Sequence, residues 1–261
     1  MTSIAALIAG AWWFYLARRE RSVAADLEYA GQWIERHSSR LIGAVALAAA
    51  IVSATFATRS AAGADASGYL SEAELLSNGA AFQYVDMFPY SEHTWLTTPL
   101  GWIPRGSDVQ TPSYPPGLPL LMAIPHKLAG INGATAVVIA SAAIAAWATG
   151  MIAGGAAGII AALLLALSPS FLYQSIQPMS DVPVTAAWMI CFLLLRGDQP
   201  LIAGIACAIA VLIRPNLAPL ALVPLLMANR KVLFASPVAI AGVFLAFTQW
   251  LWYGSALRSG Y

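Results

Sequence analysis

The sequence predicts an all-α polytopic membrane protein with roughly seven or eight transmembrane helices and one long outer loop that contains juxtamembrane helices. Three observations carry the prediction. Hydrophobic residues fill 59% of the 261 positions and charged residues only 10%, against roughly 25% charged in soluble domains. Apolar segments then follow one another from residue 118 to 252, parted by short polar or proline-rich joints. One long polar stretch, Arg59 to Pro115, holds six of the twelve acidic residues and two of the thirteen basic ones, which marks it as a loop with its own chemistry. A net charge of +1 without a basic stripe gives no sign of nucleic-acid binding.

The elements follow in chain order. Ile4 to Ala17 is apolar but short for a span of roughly 20 residues. Arg18, Arg19 and Arg21 come after it, whereas a secretory signal carries its positive residues before the apolar core. Arg18 to Arg40 is polar, with Leu27, Ala30 and Ile34 near helical spacing, which predicts a cytoplasmic amphipathic helix at the interface. Residues 1–40 therefore form an N-terminal unit, and residues 41–261 form the transmembrane region with its outer loop 59–115. Leu41 to Thr58 is a clear span. In the loop, Asp65, Tyr69, Ala73, Leu76 and Ala80 predict a helix lying along the membrane surface, with Glu72 and Glu74 toward water. Further apolar segments are Leu118–Leu128, Thr135–Thr149, Ala156–Tyr173, Val182–Leu195, Leu201–Ile213, Leu217–Ala228 and Val232–Trp252.

Gly150, Gly154 and Gly158 form two overlapping GxxxG patterns, which fit close helix packing or a glycine-rich turn equally well. Cys191 and Cys207 sit in apolar runs and read as small buried hydrophobes. No repeat of 20–50 residues occurs.

Charge sets the orientation, because basic residues favour the cytoplasmic side. The Arg18–Arg40 block lies inside, and the loop 59–115 lies outside. If Leu118–Leu128 is juxtamembrane or re-entrant, Arg196 and Arg230-Lys231 also fall inside; its shortness and three flanking prolines favour this. The same parity brings residues 168–183, 214–216 and 253–261 to the outer face beside the loop.

Three ionisable residues stand at the ends of separate spans. Asp65 begins the loop helix and reads as a helix cap or as a catalytic carboxylate. Asp181 stands at the mouth of an apolar span, where an ionisable group is costly and functional by default; capping the helix that begins near Pro183 is the alternative. Arg214 interrupts a charge-free stretch from Leu201 to Ala228 and suits a phosphate or a buried carboxylate. One carboxylate would take a proton from an acceptor hydroxyl as general base. Trp95, Trp102 and Tyr114 would stack on sugar faces or anchor at the interface, and Glu72 joins the candidate binding residues. His93, beside Glu92, is a weak metal candidate, and no established metal, phosphate-loop or nucleophile motif is present.

At these residues the chain resembles the GT-C class of membrane glycosyltransferases, and within it bacterial aminoarabinose and galacturonic acid transferases and protein O-mannosyltransferases. The resemblance rests on Gly63-Ala64-Asp65, on Tyr114-Pro115-Pro116-Gly117-Leu118-Pro119, on Pro178-Met179-Ser180-Asp181-Val182-Pro183, on Ile213-Arg214-Pro215-Asn216 and on the segment from Tyr253 to Tyr261. It implies a polyprenyl-phosphate sugar donor bound from the bacterial inner membrane and a lipid, glycan or protein acceptor. It also implies direct transfer with inversion at the outer face. Carried over, Asp65 is the base, Asp181 shapes the pocket and Arg214 contacts the phosphate. Some relatives use a divalent metal. Relatives carry more spans after this point, so the resemblance implies a C-terminally truncated chain. Two readings of another kind remain: a transporter or flippase for a lipid-linked saccharide, with Asp181 and Arg214 as intramembrane contacts, and a non-catalytic membrane subunit.

Overall fold

The computed structural model describes residues 2–17, 23–61, 63–84, 96, 98–106 and 108–260. Glu92, His93 and Trp95 lie outside the described residues, as do Arg18 to Arg21. The chain is predominantly helical. Helix α1 (Thr2–Ala17) precedes α2 (Val23–Phe56), α3 (Gly63–Ser77) and α4 (Gly117–Ala153). Then come α5 (Gly155–Ala166), α6 (Pro169–Ser175), α7 (Asp181–Arg196) and α8 (Pro200–Ile213). A 3₁₀ segment (Pro215–Ala221) leads through α9 (Leu222–Met227) to α10 (Lys231–Tyr253). Among the described residues three helices, in α2, α4 and α10, are long and apolar enough to cross a membrane, or four if the bent pair α5–α6 counts as one.

The all-α expectation needs one correction. The loop between α3 and α4 carries a small antiparallel sheet of β1 (Gln83–Tyr84), β2 (Trp102–Arg105) and β3 (Val109–Pro112), in the order β1-β3-β2. Gln83 pairs with Gln110, and Trp102 pairs with Pro112. Strands of two to four residues are too short for an alternation to show.

A second correction concerns α2. The amphipathic segment before Arg40 and the span after Leu41 are one continuous helix, so a boundary at residue 40 falls mid-helix. At 1.5 Å per residue the helix is about 50 Å long, against a hydrocarbon core of roughly 30 Å. Its polar first part therefore extends past the apolar zone. Elsewhere prolines break the expected segments. Leu217–Ala228 is not one regular α-helix: Pro215, Pro219 and Pro224 give a 3₁₀ turn followed by the short α9. Ala156–Tyr173 is bent by 64° between α5 and α6, where Ser168-Pro169 cannot continue a helix.

Helix α4 is two arms, with non-helical backbone at Ala129 and Gly130. Residues eight apart in a straight helix are about 12 Å apart. Here a Cβ on Gly133 would lie 1.9 Å from the Pro125 carbonyl oxygen, so the second arm starts back against the first. The segment 118–128 is thus a separate short arm, as its length implied. The arm 131–153 alone still exceeds the roughly 20 residues of a span. At its far end both readings of the glycines hold. Gly154 turns with φ +72°, and a Cβ on Gly158 would lie 2.3 Å from the Gly150 carbonyl oxygen.

The helices pack side by side: α2 and α5 on α4, α4 on α7, α7 on α8, and α8 on α10, with α3 laid over α4. Cys191 and Cys207 are buried free thiols within the core shared by α7 and α8. The bundle has two distinct ends. At the loop end Thr58 donates its N–H to the Ile176 carbonyl at 2.7 Å, and Gly117 abuts the backbone of Leu212 and Ile213. At the opposite end Glu35 accepts the Ala156 N–H at 3.0 Å, Arg196 donates to the Ile152 carbonyl, and Asn229 donates to Asp198 at 3.1 Å. The basic residues Arg196 and Arg230-Lys231 thus share the end away from the loop.

Candidate functional site

The loop end closes around a cavity of about 630 Å³. Several backbone contacts build its rim. Gly68 of α3 and Gly101 touch, since a Cβ on Gly101 would lie 2.4 Å from the Gly68 Cα. The Tyr114 ring fills the notch beside them. Trp102 donates its indole N–H to Ser71 Oγ at 3.0 Å, which fastens the sheet to α3. Three further bonds tie the loop to the end of α10. Arg105 donates to the Leu251 carbonyl, Trp252 donates its indole N–H to the Ala81 carbonyl at 3.1 Å, and the Tyr253 hydroxyl donates to the Pro112 carbonyl at 2.7 Å.

Asp65, Tyr114 and Arg214 line this one cavity, although they come from α3, the exit of the loop and the end of α8. Asp65 is exposed, in the first turn of α3. It makes no capping bond among the described residues; its Oδ1 instead accepts the Tyr114 hydroxyl at 2.6 Å. Burial, and then the bond to Asp65, pushes the Tyr114 phenol above its ordinary range, so it stays a donor at working pH.

Arg214 and Asp181 form an ion pair at 2.9 Å, each side chain about one-third exposed. Asp181 is the first residue of α7, where its charge also suits the helix N-terminus. It stands behind Arg214 and is not part of the cavity lining. Ser180, buried, accepts from Arg214 Nε at 2.9 Å and from the Tyr69 hydroxyl at 3.1 Å. Tyr69 in turn packs its ring 4.8 Å from that of Tyr114. The Asp65–Tyr114 pair and the Asp181–Arg214 pair are therefore joined through Tyr69 and Ser180.

Two expected residues stand elsewhere. Trp102 is buried against α3 and away from the cavity lining. Glu72 does not face water: it is fully buried, and neither carboxylate oxygen has a hydrogen-bond partner among the described residues. Burial pushes its carboxyl well above the ordinary range. Local spacing put Glu72 beside Glu74, but α4 packs along α3 and Trp102 of the sheet bonds to it, and of the two acids only Glu74 is left exposed. Residues not proposed from the sequence as site residues also line the cavity, among them Tyr69, Asn216, Thr248, Gln249 and Tyr253. The placement of Tyr69 four residues after Asp65, on the same helical face, was the available signal for one of them. Among the described residues no group of three or more His, Cys, Asp or Glu side chains gathers to hold a metal ion.

Fold and site together define a helical protein with, among the described residues, three membrane-length apolar helices and a cavity of mixed polar and apolar lining at one end of its bundle. Comparison with protein-family models, curated proteins and solved structures finds no match.

Proposed function

We propose that the chain is a multi-pass membrane glycosyltransferase of GT-C type, taking a sugar from a polyprenyl-phosphate donor to an acceptor hydroxyl at the outer face of a bacterial inner membrane. In this reading seven segments cross the membrane: α2, the arm 131–153, α5–α6, α7, α8, residues 215–227 and α10. The alternation of their ends between the loop end and the basic end supports that count. The observation that carries the function is the exposed Asp65 carboxylate sharing one cavity with Arg214.

The chemistry follows from these groups. The acceptor oxygen attacks the anomeric carbon as the bond from that carbon to the phosphate oxygen breaks, which inverts the centre. The hydroxyl proton passes to Asp65 as general base. The electron pair leaves on polyprenyl phosphate, whose added charge Arg214 meets with its guanidinium. Asp181 and Ser180 hold that guanidinium in place. Gln249 and Asn216 supply amides suited to sugar hydroxyls. The cavity wall includes Leu245 and Thr248 of α10 and Pro215 at the start of the 3₁₀ segment, a route for an apolar tail from the membrane.

Membranes carrying the chain are to be incubated with labelled polyprenyl-phosphate sugars. A labelled glycosidic product, lost by at least about a hundredfold in Asp65→Asn, is the expected result. Movement of the lipid-linked sugar across the membrane without a new glycosidic bond would replace this reading with a flippase.

A further inference from the structure

We infer that Tyr114 is a positioning residue for the base and not a platform for the sugar; the inference rests on the transferase reading above. Only 8% of Tyr114 is exposed. Its ring edge fills the notch between Gly68 and Gly101, where any Cβ on Gly68 would lie 2.3 Å from it. Tyr69 packs against it with ring centroids 4.8 Å apart. Little ring face is left for a substrate to stack on. What Tyr114 does present is its hydroxyl, donated to Asp65 Oδ1 at 2.6 Å.

That bond decides what Asp65 can do. A carboxylate at an exposed helix start otherwise turns freely about its side-chain torsions. With Oδ1 held by the phenol, the plane of the group is set and Oδ2 remains without a partner among the described residues. A general base needs a fixed lone pair within hydrogen-bond reach of the proton it takes. Tyr114 is itself held in place by packing and by the loop exit Pro115-Pro116, so the position passes from the fold to the carboxylate. The same ring contact continues through Tyr69 to Ser180 and Arg214. One rigid chain therefore sets both the base and the arginine that meets the leaving group.

The test is Tyr114→Phe, which keeps the ring in the notch and removes only the hydroxyl; an unchanged melting temperature checks the fold. A lost hydrogen bond to a charged group predicts a kcat lower by roughly tenfold to a hundredfold, with the donor KM unchanged. In an Asp65→Asn background, whose residual turnover is read with a radiolabelled donor, adding Tyr114→Phe should cost nothing further, because Tyr114 acts through Asp65. A raised donor KM at unchanged kcat, or losses that multiply in the double variant, would overturn the inference while leaving the transferase reading intact. Absence of transfer by the wild-type chain from every donor tried would remove both.

Discussion

Glu72→Gln is the substitution whose effect the structure states most sharply, because Glu72 combines complete burial with two unpartnered carboxylate oxygens. Such a group is tolerated as the neutral acid and is expensive as the anion. Its carboxyl is held well above the ordinary value of 4.5 by loss of solvation. The folded chain therefore keeps a proton that the unfolded chain releases once pH passes 4.5. Folded-state pKa being the higher, the associated stability is fully present below 4.5 and is lost as pH rises toward the folded value.

The size of the effect follows from linkage. The loss approaches about 1.4 kcal/mol per pH unit while the folded group stays protonated. It continues at that rate from just above 4.5 until the pH nears the folded value. Glutamine is nearly isosteric with the neutral acid and cannot ionise, so the variant lacks this slope. Melting temperatures of both proteins, followed by tryptophan fluorescence in detergent from pH 5 to pH 8, read the difference. The variant should lead by a margin that widens with pH, by roughly 3–6 °C for each pH unit over which the folded carboxyl stays protonated, given roughly 2–4 °C per kcal/mol for a chain of this size. Parallel curves across the range, or a wild type that gains on the variant as pH rises, would refute the reasoning. Either outcome would mean that Glu72 is charged and partnered in the folded protein.

Asp181→Asn breaks an ion pair whose partners are each about one-third exposed, so it should cost less than about 1 kcal/mol in stability. Thermal melts check the size, and a loss above 3 kcal/mol would show the pair to be far more buried than its exposure indicates. Glu35→Ala removes the acceptor for the Ala156 N–H in the first turn of α5. About 1 kcal/mol of stability should go with it, and the donor KM should not move because this contact lies at the end away from the cavity; melts and kinetics together decide.

The charged members of the site were legible in the sequence for a physical reason. Asp181 and Arg214 interrupt stretches that contain almost nothing ionisable, and the cost of placing charge there makes each one visible without any partner being known. Their meeting at 2.9 Å is a consequence of α7 and α8 being antiparallel neighbours joined by a short connection. The neutral hydroxyls that link the site carry no such mark: Ser180 and Tyr69 look ordinary until the fold places them 3.1 Å apart. The sheet was invisible for another reason. Its pairing of Gln83 with Gln110 joins residues far apart in sequence, and Pro104 within β2 argues locally against a strand. Glu72 was misplaced because helical spacing distinguishes faces but does not say how many of them neighbours will cover. The break at Ala129-Gly130 was half legible, since the shortness of 118–128 signalled a separate arm while its docking against Gly133 depended on tertiary contact.

The two carboxylates of the site are not interchangeable, and their surroundings assign them different work in the proposed reaction. Asp181 spends one oxygen on Arg214 and stands behind it, off the cavity wall. A proton delivered there would cancel the charge that holds the guanidinium, just as that guanidinium has to meet the departing phosphate. Asp65 has the opposite situation: it is exposed, it forms no ion pair among the described residues, and its single bond comes from a neutral phenol. It can take a proton without dismantling anything the leaving group needs. Separating the acid that orients the arginine from the acid that accepts the proton keeps both halves of the displacement in step. The linkage through Tyr69 and Ser180 gives that separation a fixed geometry.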